Sequence, residues 1–235
     1  MNKNLRISID IDEILRSKWI QFDKFYAQEF GEDGIPEEPY VFDFFKEYKW
    51  EDGVEQIQIM RDDIPEDMSP TEYQVDENGK SVADPFLFKT ESKKYTAKEQ
   101  YEKFMYEDFL FEIFGSAPPL YRGLDLHINE FISKFKELDI TIVSKENFKT
   151  IPPTLFFLGK SMMRFKKYKF YDKFEDYWDD CDILITTNPE LLVNIPEGKT
   201  VIKMKRPYNK EIKSDYEYIN LYDLIKDEKF NKLIE

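Results

Sequence analysis

From Tyr121 onward the sequence alternates between short apolar segments and amphipathic segments. The apolar segments have the length and β-branched content of buried strands and cover residues 139–144, 168–172, 182–187 and 200–204. Apolar residues recur with helical spacing at 123–138, 154–165 and 221–233, and a further helix is predicted to begin at Pro189. Strands that alternate with helices form a parallel sheet covered on both faces. The sequence therefore predicts an α/β fold with a Rossmann-like parallel sheet.

Another strand is predicted at residues 5–9, an apolar run that ends on two carboxylates. Asp10 and Asp12 lie one residue apart, and strand side chains alternate with period two, so both point the same way. Two carboxylates this close repel each other unless a cation or a shared proton relieves them. The pair suits a divalent metal, with one carboxylate as nucleophile and the other as acid or base. The alternative is a solvated turn after a strand.

Polar residues also end two of the later predicted strands. Ser144 ends the strand at 139–144, and Thr186 and Thr187 end the strand at 182–187. Ligands of open parallel sheets bind outside the carboxyl ends of the strands. We therefore expect these residues to meet Asp10 around one cleft. For Ser144 the alternative role is that of a helix N-cap.

Three short motifs together resemble those of the haloacid dehalogenase superfamily. The first is the apolar strand with Asp-x-Asp and Leu15, although Glu13 stands where the family has Gly. The second is Ser144 after Ile142 and Val143, and the third is Lys173, with Lys160 as the alternative. The resemblance covers residues 5–16 and 120–210.

The fourth segment looks like that of the 5′-nucleotidases and 5′(3′)-deoxyribonucleotidases of this superfamily. Residues 182–192 and the turn Pro207-Tyr208-Asn209 carry the similarity. The family has two acids where this chain has Thr186 and Thr187. Because Mg²⁺ prefers charged oxygen ligands, we expect this chain to bind Mg²⁺ weakly.

The resemblance implies a phosphate monoester hydrolase that acts through an aspartyl-phosphate. Asp10 would attack the phosphate, and Asp12 would protonate the leaving alcohol and then activate water. Ser144 and Lys173 would hold the phosphoryl oxygens. Mg²⁺ would be bound by Asp10, the Asp12 carbonyl and Thr186. A nucleoside monophosphate is the expected substrate.

The same resemblance implies a core of residues 1–16 and 119–235 and an inserted, mainly helical cap of residues 17–118. Helical spacing occurs at 14–30, which continues into this insert, and at 40–60 and 96–114 within it. A hairpin is possible around Asn78-Gly79. The insert is rich in aromatic and acidic residues. Its rings would pack a helical subdomain, stack on a base, or bind a protein partner.

Charge and composition narrow the classes of partner and location. The net charge of −14 disfavours binding to duplex nucleic acid or to an anionic membrane. The apolar stretches are too short to span a bilayer, and no secretory segment is apparent. A single cysteine, Cys181, fits a reducing compartment. We expect a cytoplasmic protein.

Two hypotheses about function follow from these motifs. The first is an active phosphatase, supported by Asp10, Asp12, Ser144 and a lysine. The second is a catalytically impaired protein that binds a nucleotide or protein partner, supported by the Thr186-Thr187 pair and by Glu13.

Overall fold

The computed structural model describes residues 5–37, 42–60, 74–75, 81–82 and 88–234. The strands are β1 Arg6–Asp10, β2 Gly53–Met60, β3 Gln74–Val75, β4 Ser81–Val82, β5 Phe88–Tyr95, β6 Asp139–Lys145, β7 Tyr168–Tyr171, β8 Ile183–Thr186, β9 Thr200–Met204 and β10 Glu217–Tyr218. The α-helices are α1 Lys18–Phe30, α2 Phe44–Glu47, α3 Ala97–Lys103, α4 Leu124–Lys134, α5 Ile151–Lys160, α6 Pro189–Val193, α7 Leu221–Lys226 and α8 Glu228–Ile234. Shorter helical turns cover Glu32–Gly34, Phe104–Asp108, Phe111–Gly115, Glu175–Asp179 and Pro207–Asn209.

Six strands form one parallel sheet in the order β10-β9-β8-β1-β6-β7. The strand β1 lies inside this sheet, where Ile9 pairs with Ile142 of β6 on one side and Ile185 of β8 on the other. Helices flank the sheet, so the predicted α/β class with a parallel, Rossmann-like sheet is confirmed. The parallel pairing brings the carboxyl ends of β1, β6 and β8 to one edge.

Alternate residues of the strands pack into two different apolar clusters. Ile7 and Ile9 of β1 join Leu124 and Phe131 of α4 and Phe230 of α8 in the larger cluster. The smaller cluster contains Val143, Leu184, Tyr177, Trp178, Leu191 and Leu192. Since strand side chains alternate between faces, these clusters cover the two faces of the sheet. Asp10 directly follows Ile9, so its side chain points to the opposite face, which the smaller cluster covers.

The chain divides into two compact units. One comprises Met1–Lys49 and Lys103–Glu235 and holds the six-stranded sheet. The other is Trp50–Glu102, in which β2 and β5 pair as an antiparallel ribbon. This second unit falls inside the segment 17–118, whose role as a cap stays a prediction.

The prediction of a helix over residues 40–60 is wrong for most of that segment. Within the described residues, α2 is only four residues long, and residues 53–60 form the strand β2. The segment from Gln56 to Ile59 alternates polar and apolar residues with period two, the repeat of a strand. Pairing with β5, from Gly53 with Tyr95 onward, selects that conformation.

Other boundaries differ by a few residues. The first helix begins at Lys18 and not at residue 14, because Glu13 has a left-handed φ of 57° and starts a turn. The helix α5 begins at Ile151 and not at Thr154, since prolines are compatible with a first helical turn. The C-terminal helix is split in two at Asp227.

The possible hairpin is supported by its flanking strands. Gln74 pairs antiparallel with Val82, and Val75 pairs with Ser81. Asn78 and Gly79 themselves lie outside the described residues. In the part of the chain that the structure describes, none of the helices is long and apolar enough to cross a membrane.

Replacing Ile9 by Ala should lower the free energy of unfolding by about 2–5 kcal/mol, because a cavity forms at a fully buried position of an internal strand. Urea denaturation followed by circular dichroism measures the loss. The control is Ile20→Ala on α1, which is 57% exposed and should change stability by less than about 0.5 kcal/mol. Equal losses in both variants would contradict the position assigned to β1.

Candidate functional site

The structure brings the polar strand ends predicted from the sequence to one edge of the sheet. Asp10 is the last residue of β1, and its register partner in β6 is Val143, the neighbour of Ser144. Thr186, the last residue of β8, donates a hydrogen bond from Oγ1 to Asp10 Oδ2 at 3.0 Å. The three strands therefore bring Asp10, Ser144 and Thr186 to the same edge of the sheet.

Asp10 is buried, with 2% of its surface exposed. Burial disfavours its charged form, and the negative charge of Asp12 adds to this effect. Together they raise the pKa of Asp10 to about 7, although the Thr186 hydrogen bond and Lys18 act in the opposite direction. Near neutral pH the Asp10 carboxyl group is therefore partly protonated.

Asp12 is held by two cations that follow it in the chain. Its Oδ1 accepts hydrogen bonds from Arg16 Nε at 2.9 Å and Arg16 Nη2 at 2.7 Å. Lys18 Nζ lies 2.5 Å from Oδ2. Burial opposes ionisation of Asp12, but Arg16 and Lys18 outweigh it and lower its pKa. Asp12 thus remains a carboxylate at neutral pH.

The Arg16 side chain is fully buried and connects Asp12 to other elements. Its Nη1 donates to the Phe114 carbonyl and to Thr154 Oγ1 at 2.8 Å each, and Nη2 donates to Glu146 Oε1 at 3.0 Å. A buried guanidinium needs compensating charge, which Asp12 and Glu146 supply. The network Arg16, Lys18, Asp12 and Glu146 carries equal numbers of positive and negative charges.

Ser144 belongs to this network through Glu146. Its hydroxyl donates to Glu146 Oε1 at 2.9 Å, and Thr154 Oγ1 donates to the same oxygen at 2.8 Å. The residue expected to hold a phosphoryl oxygen is therefore engaged with a carboxylate of its own chain.

Neither of the two lysines proposed from sequence forms an ion pair with Asp12 in the described part of the chain. Lys173 is exposed after the end of β7, and Lys160 is the last residue of α5, whose first turns carry Thr154. Arg16 and Lys18 are the cations that contact Asp12. The position of a charge-neutralising lysine next to the aspartates is thus taken by Lys18 and not by Lys173.

Glu13 has a structural role at the start of α1. It is only 4% exposed, and its Oε1 accepts hydrogen bonds from the backbone N–H groups of Lys18 at 2.7 Å and Trp19 at 3.3 Å. Burial raises the pKa of Glu13 to about 7. Its carbonyl accepts a hydrogen bond from Arg206 Nε at 2.9 Å. This acid satisfies two of the free N–H groups that every helix presents at its first turn.

The residues at this edge do not fit the expected Mg²⁺ site. The Thr186 hydroxyl donates its hydrogen bond to Asp10, and Thr187 Oγ1 donates to the Asp12 carbonyl at 3.4 Å. Both carboxylate oxygens of Asp12 face Arg16 or Lys18. Within the ranges described above, no group of three or more His, Cys, Asp or Glu side chains could hold a metal ion. A hard divalent cation prefers several charged oxygens, which this edge does not offer.

Sequence reasoning missed Arg16, Lys18 and Glu146. The available signals were Arg16 at four residues after Asp12, a spacing that pairs opposite charges in a turn, and Glu146 at two residues after Ser144.

Two other polar features lie apart from this edge. Asp182 binds Arg6 at the beginning of β1, with Arg6 Nη2 at 2.9 Å from Oδ1, at the opposite end of the sheet. His127 is half-buried on α4 and shares a hydrogen bond of 3.1 Å with the Tyr121 hydroxyl.

A scan against models of known protein families found no match for this chain, and a search of curated proteins found none either.

Asp10→Asn should stabilise the protein at pH 8. A folded pKa of about 7 against the model-peptide value of 3.8 means that the folded state binds more protons between these values. Stability should therefore fall as pH rises from about 4 to 7, by up to roughly 4 kcal/mol at about 1.4 kcal/mol per pKa unit. The Asp10→Asn variant does not lose this stability, because its amide group does not titrate.

Urea denaturation at pH 4 and pH 8 measures this difference. We expect Asp10→Asn to exceed wild type by about 2–4 kcal/mol at pH 8 and by much less at pH 4. The exposed Asp172→Asn is the matched control. A variant less stable than wild type at pH 8 would contradict the raised pKa.

Arg16→Met should lower the free energy of unfolding by about 3–5 kcal/mol at pH 7, because it leaves Asp12 and Glu146 buried without the guanidinium. Adding Glu146→Gln should recover part of the loss. Arg164→Met, at an exposed position, serves as the control in the same urea titrations. A loss below about 1 kcal/mol for Arg16→Met would show that the network contributes little.

Proposed function

We propose that this chain is a haloacid dehalogenase-like protein, related in its core to the 5′(3′)-deoxyribonucleotidases, that binds a phosphate monoester without Mg²⁺-dependent hydrolysis. A nucleoside monophosphate is the first candidate ligand. The observation that carries this proposal is the pair of cations on Asp12, with Arg16 Nη2 at 2.7 Å and Lys18 Nζ at 2.5 Å.

The chemistry of Asp12 argues against efficient hydrolysis. A general acid must be protonated before it can give a proton to the leaving alcohol, and it works best with a pKa near the operating pH. Arg16 and Lys18 lower the pKa of Asp12 and keep it ionised. Asp10 has the opposite problem, because a nucleophilic carboxylate must be ionised and the pKa of Asp10 is raised to about 7.

Binding of a phosphate monoester is supported by the chemistry around the same edge. Lys145 ends β6, Lys173 follows β7, and both are exposed. In a parallel sheet these two positions lie at the edge where Asp10 ends β1. Their positive charges act within a Debye length and offset the negative charge of the whole protein at that point.

An aromatic cluster near this edge suits the base of a nucleotide. Phe42 lies with its ring centroid 5.2 Å from that of Tyr208 and 6.3 Å from that of Phe174. Lys145 Nζ lies 4.5 Å from the Phe174 ring centroid. Stacking of a base on such rings contributes about 1–3 kcal/mol.

The competing proposal is a cytoplasmic phosphatase of the same family. It is favoured by the position of Asp10 at the end of a strand inside the sheet, two residues before Asp12. Under this proposal Asp10 is the nucleophile, and Mg²⁺-dependent turnover of a nucleotide would be lost in Asp10→Asn.

Calorimetric titration with a panel of nucleoside and deoxynucleoside monophosphates, in EDTA and in millimolar Mg²⁺, separates the two proposals. We expect binding that does not require Mg²⁺, and no release of inorganic phosphate above that of Asp10→Asn. Release of phosphate that depends on Mg²⁺ and disappears in Asp10→Asn would support the phosphatase. Absence of nucleotide binding in both media would overturn the binding proposal.

A gain of metal binding provides a second test. Thr186→Asp adds a charged oxygen at the end of β8 and should tighten Mg²⁺ binding, measured by calorimetry. We expect hydrolysis to stay low until Lys18→Met is added, because Lys18 holds Asp12 ionised. Thr96→Asp, exposed in the other compact unit, is the control. Rapid hydrolysis by wild type that Thr186→Asp slows would contradict this account of the edge.

A further inference from the structure

Three buried donors near Asp10 have no acceptor in the described part of the chain. They are the hydroxyls of Tyr177 and Tyr208 and the amide nitrogen of Asn188. Each of these side chains is at least nine-tenths buried. Buried polar atoms are almost always hydrogen-bonded, so an unpaired donor in a folded protein calls for a ligand or an ordered water.

Asn188 is oriented by bonds that leave its amino group free. Its backbone N–H donates to Thr186 Oγ1 at 3.1 Å, and its Oδ1 accepts from the Glu190 backbone N–H at 2.8 Å. Because the side-chain oxygen caps α6, the side-chain nitrogen is the part that remains unpaired. Thr186 in turn bonds Asp10, which places Asn188 next to the aspartate.

The two phenols lie within reach of the charge on Asp10. Burial raises the pKa of Tyr177 and of Tyr208 well above its ordinary value, and the charge of Asp10 contributes in both cases. Tyr177 is also affected by Asp12 and Glu146, whereas Tyr208 is affected by Glu13. Both hydroxyls therefore stay protonated at neutral pH. The Tyr177 oxygen accepts a hydrogen bond from the Lys145 backbone N–H and the Tyr208 oxygen accepts one from the Thr187 side chain, so it is the phenol protons that remain to be donated.

We infer that Tyr177, Tyr208 and Asn188 form a cradle of neutral donors for the tetrahedral oxyanion of the bound phosphate monoester. This inference rests on the proposed function and identifies the groups that recognise the ligand without a metal. The charges of Asp12 and Glu146 do not oppose the anion strongly, because Arg16 and Lys18 offset them at 2.5–3.0 Å. The unpaired Glu146 Oε2 is the matching acceptor for a phosphate oxygen that keeps its proton.

The test uses inorganic phosphate as the probe, titrated into the full chain in EDTA by calorimetry. Tyr177→Phe and Tyr208→Phe each remove one hydroxyl and keep the ring. We expect each to weaken phosphate binding about tenfold or more, the usual effect of losing a hydrogen bond to a charged group. Tyr218→Phe is the matched control, because its hydroxyl donates to Asp227 at 2.5 Å, and it should bind phosphate as wild type does.

Thermal unfolding without phosphate separates recognition from a structural role. A hydroxyl whose proton has no acceptor contributes little to the free protein, so Tyr177→Phe and Tyr208→Phe should lower the unfolding temperature less than Tyr218→Phe, which loses its bond to Asp227. A lower unfolding temperature in both site variants, with unchanged phosphate affinity, would assign these hydroxyls to the fold and overturn the inference.

The outcomes also distinguish the inference from the proposed function. Equal phosphate binding by wild type and both site variants overturns the cradle and leaves the binding function in place. Loss of phosphate binding in both variants, with no nucleotide bound by wild type, supports the cradle and overturns the nucleotide as ligand. Failure of wild type to bind phosphate at all overturns the cradle, and the nucleotide titration then decides the proposed function separately.

Discussion

The arrangement of the candidate site depends on one buried cation, the guanidinium of Arg16. It is fully buried, yet it contacts the carboxylates of Asp12 and Glu146 and the hydroxyl of Thr154 at 2.7–3.0 Å. A charge in a protein interior is tolerated only when partners replace its hydration. Arg16 in turn makes it possible to bury the two acids Asp12 and Glu146 near the end of a parallel sheet.

This internal neutralisation changes what the two aspartates can do. Lys18 completes the ion pairs of Asp12 and keeps it charged, while Asp10, left with a hydroxyl partner in Thr186, has its pKa raised to about 7. Under the proposed function these protonation states disfavour hydrolysis, because hydrolysis of a phosphate ester requires a protonated acid and an ionised nucleophile. A set of neutral donors around the same edge is suited to holding an oxyanion in place.

Local patterns predicted most of the sheet because each strand has its own signal. The apolar runs that became β6, β8 and β9 are short, rich in β-branched residues and bounded by turns, and their alternation with helices implies parallel pairing. The prediction failed where the spacing of apolar residues fits both the helical and the strand repeat. Residues 53–60 contain spacings compatible with a helix, and the pairing of β2 with β5, more than thirty residues later in the chain, decided for a strand.

The sequence by itself determined that Asp10, Ser144 and Thr186 lie at or next to the carboxyl ends of strands, and parallel topology then requires them to share one edge. Which cation neutralises Asp12 was decided only by the tertiary structure. The spacing of Lys173 suggested a charge-neutralising lysine, but the turn at Glu13, with its left-handed φ, is followed by Arg16 and Lys18, and these two side chains contact Asp12. Likewise, Arg16 meets Glu146 across 130 residues of sequence. Such contacts depend on the pairing of β1 with β6, and a local sequence pattern does not contain information about which strands become neighbours.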